Sequence, residues 1–160
     1  MYSSTMKTAV LILDNIRSVE NTGSILRTAE CLGVTKIYLI GTTPAPVDRF
    51  GRKRPDFAKV ALGAEDLIEW EYASEIDEVI KELKSQNFKI LALEQSENSK
   101  DLKGYTSLDM FALIVGNEVE GVSKKTLEKC DEILEIEMKG EKESLNVSVA
   151  TGIALYSLLN

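Results

Sequence analysis

Three short stretches carry residues suited to holding a small polar group. "ENTGSILRTAE" (20–30) sets Asn21 ahead of an apolar-periodic run and Arg27 within it. "GNEVEGVS" (116–123) places Glu118 and Glu120 between two glycines. "KESLNVSVATG" (142–152) alternates Ser144, Asn146 and Ser148 with Leu145, Val147 and Val149 before the chain turns uniformly apolar. Each side chain also has a plain structural use. Asn21 fits a helix N-cap. Arg27 lies close to Ile25, Leu26 and Ala29 and needs an anionic or carbonyl partner, for which Glu118 is a candidate. Ser144 fits a cap for the last helix, and Asn146, in its first turn, fits a capping role as well.

The chain has no histidine. That removes the commonest general base, the Ser-His and Cys-His nucleophile pairs, and most zinc sites. Chemistry must then rest on amides, hydroxyls, carboxylates and guanidinium groups, or on a reactive cosubstrate. "GNEVEGVS" nearly matches a phosphate-cradling loop, but Val122 stands where that loop needs lysine, and two carboxylates would crowd the phosphates. A triphosphate site is therefore not expected; Gly116 and Gly121 otherwise read as turn residues. No G-x-G-x-x-G occurs. Cys31 and Cys130 lack metal-ligand spacing and read as core thiols of a cytoplasmic protein.

The net charge is −7, which taken alone argues against a phosphate-backbone partner. The charge is unevenly placed, however. "RFGRKR" (49–54) holds Arg49, Arg52, Lys53 and Arg54, leaving 15 basic against 26 acidic residues elsewhere, a balance of −11. The loop is either a solvated turn or an anion-binding element whose acidic surroundings limit unspecific contact.

These residues need a scaffold. The 160-residue length suits one domain over 1–160. No run approaches 18 apolar residues, so no membrane span is expected. The first residues lack a basic start and read as leading into a strand rather than as a signal peptide. Apolar runs at 8–14, 36–41, 88–94, 111–116 and 132–138 read as strands buried on both faces. Helices are expected over 20–33, within 56–70 with a turn near Gly63, after Ser74 with a Ser74/Asp77 capping box, within 123–130, and over 144–159. Ile76, Val79, Ile80 and Leu83 form one apolar stripe. The alternation predicts an α/β fold, a parallel sheet with helices on both faces. Ligands of such sheets sit at the carboxyl ends of the strands, and the polar segments 14–23, 41–56, 94–105, 116–123 and 138–146 collect there. The last helix is apolar on most sides, with Val147, Ala150, Ala154 and Leu158 on one face and Val149, Ile153 and Tyr156 on another. Such a helix must be buried, and a dimer interface can supply the second surface.

Taken together, "ENTGSILRTAECLG", "ALIVGNEVEGVS" and "EIEMKGEKESLNVSVATG" resemble, in order, the three signature motifs of the SpoU/TrmH-type RNA ribose 2′-O-methyltransferases of the SPOUT class. "VALGAE" (60–65) is similar to that family too. The resemblance covers nearly the whole chain. It implies a C-terminal deep trefoil knot, S-adenosylmethionine (SAM) as methyl donor, no metal, and a homodimer whose sites are completed near the partner chain. It implies tRNA or rRNA as substrate; with almost nothing before the first strand or after the last helix, no separate RNA-binding domain is expected. By motif match, Gly116, Ile136 and Leu145 line the SAM pocket, with Leu93 and Met138 beside them. Arg27, Asn21, Glu118, Ser144 and Asn146 match catalytic positions. Arg27 matches the family's proposed base, yet a guanidinium normally stays charged; it serves either as base or as a phosphate anchor that stabilises developing negative charge. Arg49, Arg52, Lys53 and Arg54 are expected to grip RNA phosphates. Glu137 stands where the family usually has proline, which puts loop rigidity in question. The rival functions are a catalytically silent SAM- or RNA-binding module and a SPOUT enzyme that methylates a base nitrogen.

Overall fold

The computed structural model describes residues 6–106 and 109–160. Residues 1–5, part of the segment read above as lacking a leader, lie outside the described residues. Seven strands form one parallel sheet: β1 (Thr8–Asp14), β2 (Lys36–Ile40), β3 (Glu69–Ala73), β4 (Lys89–Leu93), β5 (Lys100–Asp101), β6 (Met110–Gly116) and β7 (Glu132–Glu135), in the order β3-β2-β1-β6-β4-β7-β5. The helices are α1 (Val19–Leu32), α2 (Pro55–Ala61), α3 (Ala64–Leu67), α4 (Ile76–Ser85), α5 (Lys124–Leu127) and α6 (Val147–Leu159).

Alternation along the central strands sorts the core into two layers. Leu11, Leu13, Leu39, Leu113 and Val115 face one side and pack with Ile25 and Ala29 of α1, Phe57 of α2 and Leu155 and Leu158 of α6. Val10, Ile12, Ile40, Ala112 and Ile114 face the other and pack against Ile76, Val79, Ile80 and Leu83 of α4. This period of two on a sheet covered on both faces is why β1 and β6 read as unbroken apolar runs. Among the described residues, no helix is long and apolar enough to cross a membrane.

Several local expectations need correction. Edge strand β3 was not foreseen: its residues are all exposed or half-buried, and "EWEYA" carries two carboxylates. Strand β5 is two exposed residues long. Strand β7 ends at Glu135, so Ile136 and Met138 lie in a loop. No Ser74/Asp77 capping box forms; Glu75 holds the cap position of α4 without a side-chain hydrogen bond. Ser18 rather than Asn21 caps α1, its hydroxyl accepting from Asn21 N at 3.0 Å. Asn146 rather than Ser144 caps α6. Cys31 is exposed, not a core thiol. Cys130 is half-buried, its thiol lying 3.4 Å from Thr126 O, and burial pushes its pKa up to about 11.

One buried hydroxyl fixes the route from the sheet into α1. Thr43 is 4% exposed; its Oγ1 lies 2.9 Å from Leu13 O and 2.8 Å from Ile40 O and accepts from Ile16 N at 3.0 Å. It ties the ends of β1 and β2 to the segment that delivers Arg17 and Ser18. Thr43→Val keeps the shape but strands the Ile16 N–H. We expect it to lose about 1–3 kcal/mol of stability, read as a lower urea midpoint at unchanged slope; an unchanged midpoint would show that this hydroxyl holds nothing.

Candidate functional site

A cavity of about 450 Å³ opens at the carboxyl ends of β4, β6 and β7. The size suits a small organic ligand. Its walls come from distant stretches: Leu93, Glu94 and Gln95 after β4; Val115 to Gly121 after β6; Glu135, Ile136 and Met138 after β7; Ser144 to Val147 and Ala150 at α6; and Asn21 from α1.

The β6 turn is built tightly. Asn117 Oδ1 accepts from Val119 N at 2.9 Å and Glu120 N at 3.0 Å, and Asn117 O accepts from Gly121 N at 2.9 Å. A side chain at Gly116 would put its Cβ 2.5 Å from the Gly121 carbonyl carbon. Gly121 has φ +68, and a Cβ there would collide with the Glu94 carboxylate. Glu94 clasps the turn from below: Oε2 accepts from Val122 N at 2.9 Å and Oε1 from Gln95 N at 3.0 Å. Gln95 in turn donates Nε2 to Glu143 O at 2.9 Å, tying the β4 loop to the loop before α6.

At the cavity mouth three segments join through one line of hydrogen bonds. Glu118 Oε1 accepts from Arg17 N and Oε2 from Ser18 N, both at 3.0 Å. Asn21 donates Nδ2 to Glu118 Oε2 at 3.2 Å and accepts at Oδ1 from Asn146 Nδ2 at 3.1 Å. Asn146 Oδ1 accepts from Ser148 N at 2.8 Å, the N-cap bond of α6, and also from the Ser148 hydroxyl. Partial burial works to raise the Glu118 pKa, but the amide N–H groups and Asn21 outweigh it and hold the carboxyl below its ordinary value.

Glu94, Glu118, Glu120 and Glu135 are the charged residues of the lining; no lysine or arginine is among the lining residues. Together with Leu93, Ile136, Met138 and Leu145, they give the lining a negative and partly apolar character that disfavours a phosphate.

Of the ten residues expected in the cofactor and catalytic sets, nine line this cavity: Asn21, Glu118, Ser144, Asn146, Leu93, Gly116, Ile136, Met138 and Leu145. Arg27 does not. It is exposed on α1 and lines a separate depression with Ser24, Thr28, Cys31, Val60, Gly152 and Tyr156. It forms no ion pair with Glu118, whose oxygens are taken by Arg17 N, Ser18 N and Asn21. The basic loop lies away from the cavity lining. Within it, Arg52 pairs with Asp48 at 3.1 Å, Lys53 with Asp66 at 3.0 Å and Arg54 with Asp56 at 2.7 Å. Glu94, Gln95 and Asn117 escaped the sequence reading as site residues. The visible signal was their place directly after apolar strand runs.

An α/β protein with a single parallel sheet and a carboxylate-lined cavity at the strand ends is thus the class that fold and site define. The model of the SpoU rRNA Methylase family matches residues 8–156. The chain belongs to that family. It is 34% identical over 151 residues to the 23S rRNA (guanosine-2'-O-)-methyltransferase RlmB of Xanthomonas axonopodis pv. citri, covering 92% of this chain and 56% of that protein. The Escherichia coli K12 RlmB is 33% identical over 147 residues, with 92% and 58% covered. The chain therefore spans a little over half the length of these curated relatives. Among solved structures, the A. aeolicus TrmH/SpoU tRNA modifying enzyme superposes with a TM-score of 0.81 at 29% identity, over 94% of this chain and 73% of that one. The AdoMet-bound rRNA methyltransferase from Sinorhizobium meliloti gives 0.80 at 25% identity, over 94% and 55%.

The depressed pKa of Glu118 sets a testable sign. A group held below its ordinary value of 4.5 contributes stability that is present above that pH and lost as pH falls through the folded-state value. Wild type should therefore lose its stability advantage over Glu118→Gln progressively below pH 4.5. Two thermal-denaturation series with a constant offset from neutral to acidic pH would remove the ionised carboxylate from the network.

Proposed function

We propose that this chain transfers a methyl group from SAM to a ribose 2′-hydroxyl of RNA. The observation that carries the reading is the cavity itself: it is lined by carboxylates without a cation, and amides from α1 and α6 meet at its mouth. SAM fits that donor set, since Leu93, Ile136, Met138 and Leu145 offer apolar contact and the glutamates offset positive charge. When bound, the cosubstrate supplies an already activated methyl group on a positively charged sulfur. The two relatives above named as 23S rRNA guanosine-2′-O-methyltransferases favour the ribose reading over base methylation, with rRNA or tRNA as the substrate class.

The chain's own residues supply positioning. Asn21 and Asn146 fix each other's orientation and present amides beside the Ser144 hydroxyl, a set suited to holding a ribose. Such alignment can contribute roughly 7–11 kcal/mol in favourable cases. The attacking hydroxyl must lose its proton as its oxygen is methylated, and with no base of suitable pKa in the cavity lining that proton passes to solvent water at the open mouth. Glu118, held ionised by its N–H donors, is a weak proton acceptor and serves to orient Asn21. Arg27 stays charged and stabilises the developing oxyanion.

Because Arg27 lies outside its own chain's cavity, the reading needs a homodimer in which Arg27 reaches the partner's site. The outer face of α6 supports this. Val149, Ile153 and Tyr156 are 51%, 43% and 63% exposed, adjoining the depression that holds Arg27. A helix apolar all round, with one face bare, calls for a second surface. We also take the segment after β7 to form the family's trefoil knot; the insertion of β7 between β4 and β5 and the Gln95–Glu143 bond support that path.

The test is transfer from labelled SAM to total RNA lacking the modification. Label should appear in nuclease-resistant dinucleotides. Arg27→Ala and Asn146→Ala should each lower kcat/KM by about 10²-fold or more, while calorimetry still shows SAM binding. Mixing the two inactive variants should restore activity if Arg27 acts across the dimer. No transfer to any RNA would end the reading, and mixed variants that stay inactive would return Arg27 to its own chain.

A further inference from the structure

We infer that Phe50, at the tip of the basic loop, is a stacking platform for an unpaired nucleobase of the RNA substrate; the inference rests on the methyl-transfer reading above. Phe50 is 66% exposed. Two guanidinium groups flank it, with Arg49 Cζ 4.8 Å and Arg52 Cζ 5.0 Å from the ring centroid. A ring combined with guanidinium groups is the chemistry on which single-stranded bases stack.

The tip is built in advance. Asp48 Oδ1 accepts from Phe50 N at 2.8 Å and Arg52 N at 3.0 Å, and its Oδ2 accepts from Arg52 Nε at 3.1 Å. Gly51 turns the chain at φ +78, and Val47 pairs with Lys53 below the tip. These contacts hold Phe50 outward before any ligand arrives, so little ordering is lost on stacking.

Charge alone does not explain this loop. Arg52, Lys53 and Arg54 each face an aspartate, which leaves Arg49 as the loop cation without a carboxylate partner among the described residues. A phosphate grip would leave its cations free. With three of the four cations engaged by aspartates, the exposed ring is the loop's main free contact surface and favours a base, with Arg49 available for one phosphate. The loop also leaves the carboxyl end of β2, the same sheet edge as the cavity. Only β1 lies between β2 and β6, so the loop's root and the cavity are roughly 10 Å apart across the sheet. Few nucleotides are needed to bridge that span.

The experiment uses the full chain and two labelled oligoribonucleotides, one hairpin with an unpaired loop and one fully paired duplex. Phe50→Leu and Phe50→Ala should weaken hairpin binding about 5- to 100-fold, with Phe50→Trp retaining it and duplex binding unmoved. The slope of affinity against salt should stay that of wild type, since no phosphate contact is lost. SAM binding, unchanged in every variant, reports an intact cavity. Wild-type affinity for the hairpin in Phe50→Leu overturns the inference while leaving the methyl-transfer reading in place. A wild-type chain that binds neither RNA overturns both.

Discussion

The structure turns on the Glu118 carboxylate. It sits on a turn after β6, yet its bonds go to backbone N–H groups at the start of α1 and to the Asn21 amide. A carboxylate at a helix N-terminus meets both the unsatisfied N–H groups and the positive end of the dipole. The consequence travels further through the amides. Asn146 Oδ1 is occupied by Ser148 N, so its Nδ2 must face Asn21. Asn21 Oδ1 is thereby occupied, so its Nδ2 must face Glu118. One acceptor on one loop thus sets the polarity of two side chains that come from helices 125 residues apart in sequence.

Helix α6 meets three demands along thirteen residues. Its cap residue, Asn146, belongs to the cavity mouth. Its inner face, with Thr151, Ala154, Leu155 and Leu158, is buried against the sheet and α1. Its outer face carries Val149, Ile153 and Tyr156 into solvent in the single chain. The first demand explains why polar residues precede the most apolar helix: the N-cap bonds that start the helix also orient the amide that faces the site. The outer face adjoins Arg27, the one expected catalytic residue that the cavity lacks, so the proposed dimer would bring that side chain to an interface.

Much of this was legible in the sequence, for reasons that vary by residue. Strands β1 and β6 announced themselves because burial on both faces permits no polar residue along Val10–Leu13 or Phe111–Val115. The stripe of α4 was legible for the matching reason: only one side of that helix meets the sheet. Strand β3 was not, since an edge strand half in water admits Glu69 and Glu71 and loses its signature. The α1 cap was misplaced by three residues, and at α6 Ser144 and Asn146 both stood as candidates, because Ser and Asn compete for one geometric role and spacing does not rank them. The cavity residues that resembled known motifs came together, whereas Glu94 and Gln95 did not stand out, since their work is to hold other loops rather than to face a ligand. Arg27 shows the limit most clearly. Motif order placed it with the cavity residues, but order along a chain does not say which face of α1 a side chain takes, and Arg27 lies on the face away from the cavity.

The net charge of −7 makes a polyanionic partner a demanding choice. Long-range attraction cannot gather RNA to such a chain, and at physiological salt fields fade within about 8 Å in any case. The acidity is put to use at the cavity, where four glutamates suit a cationic cosubstrate and repel loose phosphates. At the basic loop, aspartates cancel three of four cations and leave an exposed ring among guanidinium groups. If RNA is the partner, as proposed, its affinity would have to come from short-range contacts rather than from the overall charge.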